Sequence, residues 1–407
     1  MLLFPSNYTL DAQLDKLPKV VKFCKKCVVS NQRPRIIFDE EGVCSACRFA
    51  EEKEKSIDWA DREKQLQAVC EKFRSKDGSY DCIVPSSGGK DSGFVAHQLK
   101  FVYGMHPLLV TWAPFEYTEI GWKNFVALKD VGFDTILVLP DGKMHKKLAR
   151  LAFELVGDAW QPFTYGQKAL AYQMAAKFKV PLIFYGENGE SEYGGSTKYK
   201  NKPYEDISDY KEVYFKGAGV DEIVNEGIRV GYFNEEEVSN NKLEMYKIPP
   251  VVDLENLGLQ MHWFSYYKKW IPQENYYYCI DNTGFIANDE RSEGTYSKYA
   301  SLDDKLDGFH FIPAYYKFGI CRATSDSAHE VRDGHLTRED AIALVKRYDG
   351  EFPKKNFDWF LKYLDITEEE FHQIMEKYRN HNLWKQIDGE WKLRHNVWGE
   401  GCDDTNE

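Results

Sequence analysis

The chain has 407 residues, of which 43% are hydrophobic and 15% aromatic, and its formal net charge is −12. That length leaves room for two to three domains, and the apolar content excludes a largely disordered chain. The acidic balance disfavours a nucleic-acid binder, and without an 18-residue apolar run no segment is expected to span a membrane. Met1 to Leu10 holds no Lys or Arg and no run long enough for a signal h-region, so a cytoplasmic location is expected. Nine cysteines in a long chain without an export signal favour thiol chemistry over disulfides.

The first motif is cysteine-based. Cys24-Lys-Lys-Cys27 and Cys44-Ser-Ala-Cys47 are two C-x2-C pairs separated by 16 residues. Two such knuckles brought together give a tetrahedral four-sulfur site of the kind zinc accepts. With a short strand and turn expected over 35–42, residues 20–50 are read as a zinc ribbon with structural Zn²⁺ on Cys24, Cys27, Cys44 and Cys47. Four thiolates also suit an iron–sulfur cluster, and two pairs of unrelated buried thiols are the plain alternative. Cys70, Cys82, Cys279, Cys321 and Cys402 show no paired spacing.

The second motif is a glycine-rich turn. Tyr80–Pro85 reads as a buried parallel strand, and Val95, Leu99 and Val102 mark a helix stopped by Gly104. Between them lies Ser86-Ser-Gly-Gly-Lys-Asp-Ser92. Strand, turn and helix start make an anion site, because glycine lets the backbone approach and the first helical N–H groups have no partner. The string is neither a Walker A loop, since Asp91 follows Lys90, nor G-x-G-x-x-G. Ser87-Gly-Gly-Lys-Asp-Ser92 resembles the S-G-G-x-D-S signature of PP-loop ATP pyrophosphatases. The resemblance implies binding of ATP and Mg²⁺ and cleavage between the α- and β-phosphates. It implies that Ser87, Gly88, Gly89 and Ser92 cradle phosphate, while Asp91 orients the loop or the metal and Lys90 stands at the variable position.

Further strands are expected at 108–112, 134–139 and 180–185, with helices near 143–155 and 165–178. A helical stretch holding Trp122, Phe125 and Val126 as core candidates lies between the second and third strands. Alternation of strand and helix predicts an α/β fold with a doubly wound parallel sheet over 78–200. Gly186-Glu-Asn-Gly-Glu190 then falls at a strand's carboxyl end, where ligands of such sheets sit. Gly186 is read as nucleotide-binding and Glu187 as a metal or substrate ligand, a solvated turn being the alternative. Lys198–Lys202 reads as a solvated basic loop and 201–250 as an insertion or lid. Residues 253–269 read as an amphipathic helix whose aromatics are core. The polar stretch 291–307 offers Arg291, Lys298 and Lys305 for phosphates and Asp303 and Asp304 for metal or sugar hydroxyls, against an ordinary surface loop. From Leu336 onward the chain reads as helical, with a capping box at Thr367–Glu370, and residues 251–400 form a substrate-binding and helical region. Gly401–Glu407 reads as a disordered tail.

The cysteine pairs, the phosphate turn, Glu293–Lys305, Lys317-Phe-Gly-Ile-Cys-Arg-Ala-Thr-Ser325 and Arg332-Asp-Gly334 together resemble N-acetyl sugar amidotransferases, over roughly residues 20–390. That resemblance implies a role in bacterial surface-glycan biosynthesis, including O-antigen and flagellin sugars. It implies ATP-dependent conversion of an acetamido group on a nucleotide-linked sugar to an acetamidino group, with AMP and pyrophosphate released. A glutaminase is not expected in this chain. It reads Met1-Leu2-Leu3, Gly319-Ile-Cys321-Arg-Ala323 only approaches G-x-C-x-G, and no histidine has Glu two positions on. The resemblance therefore implies a separate partner similar to the glutaminase subunit of imidazole glycerol phosphate synthase, and a cyclase-like barrel that conducts ammonia. The alternatives are a tRNA-modifying PP-loop enzyme of the thiolation type and an ATP-sensing scaffold without catalysis.

Overall fold

In the computed structural model, residues 2–238 and 242–399 are described. Helices α1 (Ser45–Lys55) and α2 (Trp59–Phe73) lead into β1 (Cys82–Pro85) and α3 (Lys90–His97). There follow β2 (Pro107–Trp112), α4 (Glu119–Val131), β3 (Asp134–Val138), α5 (Gly142–Val156) and α6 (Gln161–Phe178). Next come β4 (Leu182–Tyr185) and the single turn α7 (Gly189–Glu192). The short helices α8 (Tyr210–Val213), α9 (Val220–Arg229), α10 (Glu235–Val238) and α11 (Val251–Leu257) precede β5 (Gln260–Trp263) and α12 (Phe264–Tyr267). Helix α13 (Pro272–Thr283) and the loop after it lead to α14 (Gly308–Phe318), α15 (Arg322–Arg332) and α16 (Arg338–Tyr348). Helices α17 (Phe357–Leu364) and α18 (Glu368–Lys377) and the hairpin β6 (Trp384–Ile387) and β7 (Glu390–Leu393) complete the described chain.

Strands β1 to β5 form one sheet in the order β3-β2-β1-β4-β5, every neighbouring pair parallel. The fold is α/β with helices on both faces. Alternation along β1 explains the two layers, since successive side chains of a strand point to opposite faces. Ile83 joins a core with α5, α6 and α9, while Cys82 and Val84 join a second core with α2 and α3. A third cluster ties α5 to the C-terminal helices, with Phe153, Phe309, Phe360 and Phe371 all buried.

Several expectations needed correction. Residues 253–269 are not one helix: Gly258 ends α11 and Gln260–Trp263 pairs with β4 as the fifth strand. A sheet edge offers backbone partners that helical periodicity in the sequence cannot reveal. Its aromatics are core as expected, with Trp263, Phe264 and Tyr267 buried. Val102 is exposed, because residues Gln98–Val102 wind as a π-helix and the wider turn shifts the buried face. Trp122 is exposed and Phe125 and Val126 half-buried, since α4 buries Gly121, Asn124 and Leu128 instead. Residues 35–42 form no strand, only a bridge between Phe38 and Cys44. The last helix of the C-terminal part, α18, ends at Lys377, and after a turn the antiparallel pair β6–β7 forms. The capping box at α18 is present, with Thr367 and Glu370 bonded reciprocally. Gly401–Glu407 lie outside the described residues, and among the described residues no helix is long and apolar enough to cross a membrane.

The aromatic cluster generates a direct test. Phe360 is fully buried and stacks on Phe309 with ring centroids 4.0 Å apart. Phe360→Ala is expected to cost about 3–5 kcal/mol, read as a lower urea midpoint without change of secondary structure.

Candidate functional site

The strand order reverses direction at β1, which has β2 on one side and β4 on the other. Loops leaving the carboxyl ends of two such strands diverge and leave a crevice between them. Here a cavity of ≈ 370 Å³ opens there, lined by Ser87, Gly89, Asp91 and Ser92 after β1 and by Gly186 and Glu187 after β4. The turn is fixed from within. Ser86 N–H donates to Val110 O at 2.9 Å, and Ser92 Oγ donates to Gly89 O at 3.2 Å. Gly88 adopts φ +92°, and a Cβ there would lie 2.6 Å from the Phe125 backbone of α4. Only glycine lets α4 close over the turn at that distance. Gly89 is the N-cap of α3, so the first-turn amides of that helix open toward the cavity.

Charges around the cavity are arranged unequally. Lys90 pairs with Asp91, whose other oxygen lies 3.4 Å from Asn275 Nδ2 of α13. Glu187 is half-buried, and its carboxyl is pushed up to about 7 by desolvation and then by the charge of Asp91. Opposite lies Lys168 of α6, buried and without a hydrogen-bond or ion-pair partner among the described residues. Its ammonium stands 3.7 Å from the Tyr214 ring centroid and 4.7 Å from that of Tyr185, with Tyr210 and Trp263 close by. Burial lowers its pKa to about 8. The rings stabilise a cation without neutralising it, which leaves its charge available to an anion in the cavity. Sequence reasoning missed Lys168, although a lysine within a helix apolar on nearly all sides was the available signal.

A second cavity, of ≈ 420 Å³, shares Glu187 with the first. Its walls include Asp158, Lys216, His310 and Arg322, none of them singled out as site residues in the sequence. Arg322 pairs with Asp326 at 3.0 Å, and Arg35 holds Glu190 of α7 through two bonds of 2.9 and 2.7 Å. Arg35 thereby joins the segment between the cysteine pairs to the loop that carries Glu187.

The residues proposed from 291–307 separate. Asp303 reaches the glycine-rich turn, where its half-buried carboxyl is raised by desolvation and meets the Ser87 side chain. Gly121 makes that approach possible, because a Cβ there would sit 2.4 Å from Asp303 Cα. Asp304 points away and accepts from the Phe115 and Leu306 amides, a structural role in the loop. Arg291 is engaged by Glu351 and Lys305 by Glu116, and both line a separate open cleft of ≈ 1030 Å³. Lys298 donates to the Asp289 carbonyl. Among the described residues, Asp303 alone of the five meets the glycine-rich turn; the others are taken up by carboxylates, amides and a carbonyl elsewhere.

The four cysteines do converge. Cys24, Cys27, Cys44 and Cys47 are buried, with all sulfurs within 4.8 Å of one another and the Cys24–Cys47 and Cys27–Cys44 pairs 3.8 Å apart. Metal–sulfur bonds of about 2.3 Å in a tetrahedron require sulfur separations of about 3.8 Å, so the cluster can hold zinc. The Cys24 Sγ also accepts from the Cys44 and Lys26 amides at 3.3 and 3.4 Å, contacts that support a thiolate ligand. With no open position, such a metal would act as a structural tie. The purified protein is expected to carry about one zinc per chain. Cys44→Ser should lose that zinc on metal analysis and melt at lower temperature.

Glu187 generates a pH-dependent expectation. Its folded carboxyl, at about 7 against an ordinary 4.5, holds its proton more tightly than the unfolded chain does. Stability from this group is complete below 4.5 and is lost as pH rises through about 7. Glu187→Gln should match the parent in urea unfolding at acid pH and exceed it at pH values above 7.

No curated protein matches the chain. Residues 293–397, which supply His310 and Arg322 to the second cavity, match the model described as LPS biosynthesis protein WbpG-like, C-terminal domain. The C-terminal quarter of the chain is thus similar to the C-terminal domain of WbpG-like LPS biosynthesis proteins, and it is set here against a parallel-sheet crevice and a four-cysteine cluster.

Proposed function

We propose that this protein is a cytoplasmic PP-loop ATP pyrophosphatase acting as an N-acetyl sugar amidotransferase. In this reading it adenylylates the acetamido oxygen of a nucleotide-linked sugar and replaces that oxygen with ammonia. The observation that carries the reading is the Ser87–Ser92 turn at the point where the sheet order reverses, opening on a cavity with an unneutralised cation opposite. The WbpG-like match supports a glycan substrate.

The chain's own groups divide the work. Ser87, Gly88, Gly89 and Ser92 hold the β- and γ-phosphates of ATP through backbone N–H groups and hydroxyls. Lys168 meets remaining phosphate charge from the opposite wall, where low dielectric strengthens the attraction. Asp91 and Glu187 are carboxylates placed to hold Mg²⁺, which would supply further neutralisation of the triphosphate when bound. A cation there would also favour the ionised form of Glu187 and reverse its raised pKa. The second cavity takes the sugar, so that its acetamido oxygen approaches the α-phosphorus past Glu187. An amide oxygen is a poor leaving group, and phosphoryl activation converts it to a departing AMP. Ammonia comes from a separate glutaminase partner through a barrel subunit, as the resemblance to N-acetyl sugar amidotransferases implies; Cys321, the near miss to a glutaminase nucleophile, is buried and its thiol is pushed up to about 12 by desolvation.

The test uses purified protein, ATP, Mg²⁺, an ammonium salt and a panel of UDP- and CMP-linked acetamido sugars, without glutamine or partner. The expected result is equal release of AMP and pyrophosphate, with a product lighter by about one mass unit as oxygen is exchanged for NH. Formation of ADP and inorganic phosphate, or AMP release with unchanged sugar at every ammonium concentration, would refute the proposal.

A further inference from the structure

The second cavity contains a carboxylate–imidazole pair. His310 sits in the first turn of α14, and its Nδ1 lies 2.9 Å from Asp158 Oδ2. Asp158 is buried at the end of α5, between that helix and α6. It also accepts from Lys216 Nζ at 2.8 Å and from the Trp160 amide at 3.0 Å. Lys216 is held in turn by Gln161 Oε1 at 2.5 Å. Burial alone would raise the Asp158 carboxyl, but His310, Lys216 and Lys317 outweigh it and keep the group ionised. An ionised Asp158 holds the Nδ1 proton of His310, so that Nε2, once it has given its own proton to solvent, can accept one. None of the described residues hydrogen-bonds that nitrogen, and the imidazole is 34% exposed in the wall of the cavity. An oriented, accessible imidazole backed by a buried carboxylate is the arrangement of a general base. A purely structural ion pair would have no need to face a cavity that meets the phosphate site at Glu187.

We propose that His310, positioned by Asp158, accepts the proton released when ammonia adds to the activated acetamido carbon. This rests on the reading under Proposed function and names the group that completes it. The ammonia lone pair forms the new C–N bond and gives an adduct nitrogen bearing three hydrogens and a positive charge. One of those protons passes to His310 Nε2. The C–O bond then breaks, AMP leaves with its electron pair, and a protonated amidine remains. His310 returns its proton to solvent. Lys216 cannot serve in this way, because its ammonium is already engaged by Asp158 and Gln161. Lys317 is engaged by Asp11 and Arg322 by Asp326.

The experiment compares the full-length parent with His310→Gln, using the acetamido nucleotide sugar from the UDP and CMP panel that supports AMP release. Each protein is assayed with ammonium chloride and, separately, with hydroxylamine. Hydroxylamine is a stronger nucleophile whose adduct sheds its proton to water, so it bypasses a base. The variant should lose about a hundred-fold or more in amidine formation with ammonium, while amidoxime formation with hydroxylamine falls less than about five-fold. Retained hydroxylamine turnover also demonstrates a folded, ATP-cleaving protein. Equal loss with both nucleophiles, or loss with neither, would overturn the role of His310 and leave the amidotransferase reading standing. Parent protein that makes AMP with neither nucleophile would overturn both.

Discussion

The parallel pairing of β1 with β2 on one side and β4 on the other is the constraint on which the chemistry depends. It places Pro85 and Tyr185 at the same edge of the sheet, so that the turns 86–92 and 186–189 face each other across one crevice. Every group of the phosphate site is then held by something rigid. Helix α4 closes on Gly88, α13 contacts Lys90 and Asp91, and α6 carries Lys168 into the far wall. A site built on strand ends and helix termini holds its donors in place without the ordering cost that a free loop would incur.

Electrostatics inside the crevice follow from burial more than from pairing. Two carboxylates, Asp91 and Glu187, face one another closely enough for the charge of one to raise the other. Across from them, Lys168 is surrounded by aromatic rings where an acidic partner would ordinarily stand. Both arrangements are unfavourable by themselves and would be relieved by a metal ion and a polyanion. Groups kept short of their natural partners in a cleft mark a place where ligands complete the structure.

The C-terminal region is bound into the same unit at three points. Phe309, Phe360 and Phe371 pack on Phe153 of α5, and α15 and α16 cover the cysteine cluster, where Arg338 Nε donates to the Cys27 carbonyl at 3.1 Å. Between these contacts runs a buried chain of charge. Lys53 of α1 donates to Glu192 of α7 at 2.7 Å, and His329 of α15 lies between Glu192 and Asp333. Burying these ions is costly unless each finds its partner, so the network requires α1, α7 and α15 to meet in one arrangement. The cysteine cluster and the crevice are thereby held in one arrangement.

Local patterns in the sequence were enough to locate the glycine-rich turn, the four cysteines, the first four strands and the Glu187 loop. Each of these rests on contiguous residues, and the chemistry of a glycine turn or a C-x2-C knuckle is written in a few neighbouring positions. Helix phase was less legible: Trp122 and Val102 lie outside because α4 and the π-wound turn after α3 are rotated by contacts the sequence does not display. The fifth strand was hidden because a four-residue edge strand is selected by the free edge of β4, not by its own periodicity. Cations at 291, 298 and 305 looked like ligand groups, yet they are met by Glu351, Asp289 and Glu116, at separations in the chain that no motif encodes. The sequence by itself determined an α/β sheet, a glycine-rich turn at a strand end and a converging set of four thiols that could hold a metal. Tertiary structure alone decided that Lys168 stands free among aromatic rings, and that Asp158 and His310, 152 positions apart in the chain, share one hydrogen bond beside the crevice. Burial and pairing are properties of neighbours in space, and folding is what chooses those neighbours.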